Sequence, residues 1–108
     1  MHVTSDNEAL WELYTTGDSK NKRYKRLPKS TVRGFVKAVT IFKQIKRIED
    51  LYQHKGLNYE RMKGDLKDYE SVRCDLRYRL IFKSSPLENE IIITKVELLE
   101  ITDHYGKL

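Results

Sequence analysis

Apolar residues recur along this chain with two different periods, and the change of period divides it. The first part is helical. Leu10, Leu13 and Tyr14 stand at helical spacing. Ser5 or Asp6 is predicted to cap that helix, Glu8 lies in its first turn and Gly17 stops it. Trp11 falls at the helix margin. Further on, Val32, Phe35, Val36, Val39, Phe42 and Ile45 repeat at three and four residues and make one apolar stripe, with Lys37, Lys43 and Lys46 left for water. Pro28 fits the first turn of this second helix, with Ser30 or Thr31 as alternative starts. Ile48 to Tyr52 either prolongs the helix or opens a short new one, which Gly56 ends.

The second part alternates. From Val72 to Phe82 the even positions read Val72, Cys74, Leu76, Tyr78, Leu80 and Phe82, and the odd ones include Arg73, Arg77 and Arg79. A period of two sends alternate side chains to opposite faces of a strand, so one face enters a core and the other carries guanidiniums. Guanidiniums suit phosphate, although most on an exposed sheet face are only solvated charges. Lys83 to Asn89 is a loop by composition, and Glu90 to Thr102 is a β-rich run predicted to return antiparallel beside Tyr78–Phe82. Met1 to Thr4 is compatible with a short edge strand around Val3. The predicted architecture is α+β: a small twisted antiparallel sheet of three to five strands with two N-terminal helices on one face. The other face is left for function.

Composition narrows the partners. A chain of 108 residues fits one domain, and a net charge of +5 with a pI near 9.3 favours an anionic partner, nucleic acid before a membrane surface. The charge is locally dense. Lys20, Lys22, Arg23, Lys25, Arg26, Lys29 and Arg33 crowd one segment around Tyr24, against a single acid, Asp18. Such a segment is either a solvated interhelical loop or a sequence-blind contact to RNA phosphates, and its density favours the second. The single cysteine, Cys74, excludes an internal disulfide, fits a reducing cytosol and reads as a packed thiol. His2, His54 and His104 lie too far apart for a metal-ligand spacing. No stretch resembles a signal peptide or a membrane span.

If the last strand pairs with the one carrying Arg79, then His104 and Tyr105 approach the run containing Glu60. One carboxylate, one imidazole, one phenol and several fixed cations suit RNA cleavage without a metal. A base takes the proton of a ribose 2′-OH, the oxygen attacks phosphorus, and an acid protonates the departing 5′-oxygen. Glu60 is the candidate base and His104 the candidate acid. Arg79 stabilises the phosphoryl charge, helped by Arg73 and Lys63. Tyr105 stacks on a base or steers the phosphate. Taken singly, each residue also has a plain role: an ion pair for Glu60, a frayed end for His104, a sealed sheet edge for Tyr105.

Three passages carry a family resemblance. YERMKGDLKDYESVR, YRLIF and the closing DHY look like the motifs of bacterial type II toxins of the RelE/ParE superfamily, in the RelE–HigB–YoeB branch. Leu57–Phe82 aligns without gaps to the YoeB-like pattern, and the element order is similar over nearly the whole chain. The resemblance implies a microbial-RNase-like fold and a ribosome-dependent mRNA endonuclease needing no cofactor. By position, Glu60 matches the general base, Arg79 the phosphate-stabilising arginine, His104 the general acid and Tyr105 the terminal tyrosine. Lys63 and Arg73 match basic positions that face the substrate, and Arg77 joins them by strand parity. The implied partners are the 70S ribosome with its mRNA and a cognate HigA-like antitoxin carrying a helix-turn-helix domain, all in the cytoplasm. The interval from Arg79 to His104 is longer than in compact members, so residues around Pro86 to Lys95 must lengthen the hairpin or bulge out. Two other readings stand beside this one: a non-catalytic ParE-like gyrase poison, and a plain RNA-binding module built on the basic segment.

Overall fold

The computed structural model describes residues 1–87 and 91–104. The elements run β1 (His2–Thr4), α1 (Glu8–Thr16), α2 (Lys22–Lys25), α3 (Lys29–Gln44), β2 (Glu60–Arg61), β3 (Glu70–Arg73), β4 (Arg79–Pro86) and β5 (Ile93–Thr102). Short 3-10 segments at Ile48–Gln53, Lys55–Leu57 and Gly64–Leu66 carry the chain between them. The five strands form one sheet in the order β1-β5-β4-β3-β2. This is the expected α+β layering, at the upper end of the expected three to five strands, but the sheet is mixed rather than wholly antiparallel because one pair is parallel. β1 lies parallel to β5, with Val3 opposite Val96, because the helices and three strands between them supply the long crossover that a parallel pair needs.

The core lies between α3 and one face of the sheet. Phe35, Val39 and Phe42 from the helix meet Val72, Leu80, Phe82, Val96, Leu98 and Ile101 from the strands, all buried. Phe42 and Phe82 rings stand 4.8 Å apart, a tilted aromatic contact at the centre of that layer. Within α3 the buried face also takes in Thr31, Ala38 and Ile41, while Val32 and Val36 are only partly covered. The stripe is therefore rotated slightly from the one the large residues outline.

Gly34 sets how close α3 comes to the sheet. A side chain there would meet the Cys74 carbonyl oxygen at 1.7 Å, far inside contact distance. The helix thus rests directly on the backbone at the end of β3. Asp75 fastens the same corner. Its carboxylate accepts from the Thr31 and Ser30 hydroxyls of α3 and from the amides of Arg77 and Tyr78. Partial burial works to raise its pKa, but these bonds outweigh it and hold the carboxyl below its ordinary range.

Several local readings are corrected. Asn7, not Ser5 or Asp6, caps α1, its side chain accepting from the Ala9 amide, and Ser5 instead holds the Leu98 carbonyl at 2.7 Å. Gly17 closes α1 in the left-handed conformation as expected, at φ 78°. Gly56 does not end a helix but lies inside a 3-10 turn. Val72 to Phe82 spans two strands, the end of β3 and the start of β4. It is a hairpin in which Val72 pairs with Leu80, and the connection leaves Leu76 exposed (89%) rather than in the core. Parity survives on both sides only because the loop between the strands preserves it. Lys83 to Pro86 are strand, not loop, so the extra length before the C-terminus goes into a longer β4–β5 hairpin. Pro86 is the last residue of its strand, where a missing amide costs least.

Candidate active site on the open face of the sheet

The sheet face turned away from α3 carries Glu60, Ser71, Arg79 and Ile81, because Glu60 is the cross-strand partner of Ser71 and Ser71 that of Ile81. Glu60 and Arg79 meet here, with 3.9 Å between Oε2 and Nη2. They differ sharply in exposure: the Arg79 side chain is 4% exposed and that of Glu60 56%. Arg79 therefore does not stand in an open row of guanidiniums. It lies against the sheet, donating from Nε to Ser71 Oγ at 2.9 Å and from Nη2 to the Asn58 and Ser71 carbonyls. Asn58 offers its carbonyl from a left-handed turn, φ 44°, a conformation that asparagine tolerates better than most residues. The result is a cation fixed by backbone and hydroxyl oxygens beside a carboxylate exposed to water.

Next to this pair a hollow of about 350 Å³ is lined by Leu66, Tyr69, Ile81, Leu99 and Glu100. A register shift makes it. Ile81 faces Glu100 while Phe82 faces Leu98, so Leu99 is an extra residue in β5. Across the sheet, a buried carboxylate braces the strands. Glu70 accepts from Tyr59 Oη at 2.6 Å, from the Ser84 amide at 2.8 Å and from Ser84 Oγ at 2.6 Å. Burial, and then this carboxylate, push the Tyr59 hydroxyl well above its usual pKa.

The C-terminal strand does run beside Arg79: Arg79 is the partner of Thr102, two residues before His104. The imidazole of His104 itself is exposed and lies 3.2 Å from Asp103 Oδ1. It lines a different hollow, with Arg23, Leu27 and Tyr78. Arg77 also goes to Asp103, at 3.0 and 3.1 Å. Against the opposing effect of desolvation, the Arg77 hydrogen bond and the neighbouring His104 hold the Asp103 carboxyl below its usual range. Tyr105 lies outside the described residues. Lys63 is exposed at the turn leading from β2, and Arg73, the cross-strand partner of Arg79, lies on the same face of the sheet at the end of β3.

The basic segment folds around the short helix α2 rather than as a plain loop. Lys20, Lys22, Arg23, Lys25 and Arg26 are exposed. Arg23 reaches Glu100 at 3.2 Å, which ties α2 to β5. Tyr24 is buried and accepts from Asn7 Nδ2, so its ring is core and not a stacking platform. Cys74 is buried as well, and burial followed by the Asp75 charge raises its thiol to about 12, out of the nucleophilic range. Asn58 and Ser71, which hold Arg79, were not singled out from the sequence. The signal for Asn58 was an asparagine just after a short glycine turn. Ser71 is the serine of the S-V-R passage that carries the family resemblance, but no role was assigned to it.

A protein-family model described as a RelE-like toxin of the type II toxin–antitoxin system HigB matches residues 6–99. The chain belongs to the HigB-like toxins. The matched residues take in Glu60, Lys63, Arg73, Arg77 and Arg79 of this toxin, while His104 and Tyr105 lie beyond them. A solved structure described as a YoeB/ParE toxin from Agrobacterium tumefaciens shares the fold, with a TM-score of 0.55 at 17% identity over 97% of this chain and 100% of that one. No curated protein sequence matches the chain. Membership of a type II toxin family implies a cognate antitoxin for this HigB-like toxin. Among the described residues no helix is long and apolar enough to cross a membrane.

Proposed function

We propose that this HigB-like toxin is a ribosome-dependent endonuclease that cuts mRNA without a metal. The observation that carries the reading is the Glu60–Arg79 pair: a solvent-exposed carboxylate 3.9 Å from a guanidinium locked in place by Ser71 and Asn58. A fixed cation needs no reorganisation as charge builds on a phosphoryl group, which is how preorganised sites lower barriers. Glu60 takes the proton from the 2′-OH, and that oxygen bonds to phosphorus. The 5′-oxygen leaves and takes a proton from His104. The products are a 2′,3′-cyclic phosphate and a 5′-hydroxyl. For this, His104 swings from Asp103 toward the Arg79 side of Thr102 when RNA arrives; the role left for Tyr105 is to stack on a base or steer the phosphate. Lys63, Arg73 and Arg77 contact the substrate strand, and Lys20, Lys22, Arg23, Lys25 and Arg26 contact ribosomal RNA in the cytoplasm. The cognate antitoxin is HigA-like with a helix-turn-helix domain.

Brief induction in a bacterial host, followed by primer extension on several transcripts, tests this. The expected result is growth arrest with new 5′ ends inside translated messages. Arrest with double-strand DNA breaks and intact messages would assign the toxin to the gyrase-poisoning branch instead.

A further inference from the structure

Ile81 is only 2% exposed, although it stands on the sheet face turned away from α3. Its neighbours Leu80 and Phe82 enter the core, and side chains alternate along a strand, so Ile81 points the other way. It forms the floor of the hollow of about 350 Å³ whose walls are Leu66, Tyr69, Leu99 and Glu100. Tyr69 is on the same face, because its ring centroid lies 4.7 Å from Nζ of Lys83, two residues beyond Ile81 on β4. Leu66 and Tyr69 belong to one closed turn. The Tyr69 amide donates to the Leu66 carbonyl at 2.8 Å, and the Met62 amide donates to the Tyr69 carbonyl at 3.0 Å. That turn joins β2, which carries Glu60, to β3, which carries Ser71.

The hollow lies one step along the sheet from the Arg79 guanidinium. Ile81 follows Arg79 by two residues on the same face, which puts their Cα atoms roughly 7 Å apart. It is also the cross-strand partner of Ser71, which holds Arg79. The lining does not suit an anion. Leu66, Tyr69, Ile81 and Leu99 carry no charge, and the fifth residue, Glu100, is a carboxylate that repels phosphate. One oxygen of Glu100 is already taken by Arg23 at 3.2 Å. A mostly apolar concavity with an aromatic wall suits a flat organic ring. We propose that this hollow takes the nucleobase next to the scissile phosphate, so that the base is seated there while Glu60 and Arg79 act on the backbone. The choice of RNA rests on the function proposed above. The preference for a ring over a phosphate rests on the lining alone.

Nucleoside 5′-monophosphates and ribose 5-phosphate share a phosphate and a sugar, and only the first carry a base. Neither can be cut, so their binding is independent of catalysis. Nucleotides are expected to shift the methyl resonances of Leu66, Ile81 and Leu99, and ribose 5-phosphate to leave them in place. Tyr69→Ala is expected to weaken nucleotide binding roughly tenfold. Tyr52→Leu, at an exposed tyrosine lining a different hollow, is expected to change it less than about twofold. Circular dichroism checks folding, and Leu66→Gln, on the partly exposed turn, repeats the test should Tyr69→Ala not fold. On programmed ribosomes, an abasic ribose beside the cut is expected to lower kcat/KM roughly tenfold for the wild type and less than about twofold for Tyr69→Ala. A merely structural role for Tyr69 would leave both proteins equally sensitive to loss of the base. That equality, equal shifts with nucleotides and ribose 5-phosphate, or no shifts with either would overturn the proposal. Shifts with the cognate antitoxin but with no nucleotide would give the hollow to a protein side chain and overturn it as well. Nucleotide shifts in a folded toxin that never cuts mRNA would sink the nuclease reading and leave the base site standing.

Discussion

Glu60 and Arg79 face each other at 3.9 Å across the boundary between water and the protein interior. The arrangement changes how each can be probed. Arg79 holds Ser71 and Asn58 in place, so removing it leaves buried oxygens without their donor, which costs about 1–3 kcal/mol for each unsatisfied group. Arg79→Ala is therefore expected to lose stability as well as activity, and relief of toxicity by that variant alone is ambiguous. Glu60→Gln is expected to keep the wild-type urea midpoint, since its side chain is mostly in water. A large midpoint shift in Glu60→Gln would show that the pair is structural.

Gly34→Ala places a methyl group 1.7 Å from the Cys74 carbonyl oxygen. Backbone cannot rotate out of the way as a side chain can. The gain in helix propensity, about 1 kcal/mol, is outweighed by overpacking, typically 1–3 kcal/mol and more where backbone must shift. The expected result is a lower urea midpoint or failure to fold. An equal or higher midpoint would mean that α3 does not sit this close to β3.

Glu70→Ala strands the Tyr59 hydroxyl and the Ser84 hydroxyl and amide in the interior. A loss of about 3 kcal/mol is expected from breaking a buried charged network, against about 1 kcal/mol for Tyr59→Phe, which removes one hydrogen bond. Chemical denaturation of the two variants distinguishes them. Equal losses would contradict the central place of the carboxylate.

Asp75 carries a pH signature. Its pKa in the folded protein lies below the unfolded value of about 3.9. Its stabilisation is then fully present above that value and lost as pH falls through the folded pKa. Asp75→Asn is expected to be less stable than wild type at pH 7, with the gap narrowing below about pH 4. A gap that stays constant to pH 2 would place the effect elsewhere.

Among the described residues His104 is held through Asp103 and the Thr102 hydroxyl at the end of β5. His104→Ala is expected to leave the thermal midpoint unchanged and to slow mRNA cleavage about a hundredfold. Wild-type cleavage by His104→Ala would remove it from the mechanism.

The helices were legible in the sequence because their apolar residues repeat at three and four, and the sheet core because hairpin pairing kept its parity. The capping of α1 was not, since Ser5, Asp6 and Asn7 are all good caps and only the Leu98 carbonyl decides among them. The burial of Arg79 was also hidden. Arginine in an alternating run reads as surface, and the oxygens that let it lie inward come from Asn58 and Ser71, of which Asn58 lies far along the chain. Leu76 misled for the opposite reason: an apolar residue in phase with a strand fell in the turn between two.

Purified toxin acting on ribosomes programmed with a defined message tests the central claim most directly, with cut sites and end groups read for wild type and Glu60→Gln. The account predicts a 2′,3′-cyclic phosphate and a 5′-hydroxyl at each cut, and a rate at least about a hundredfold lower in the folded Glu60→Gln variant. Equal rates for the two proteins, or no cutting by the folded wild type, would contradict it.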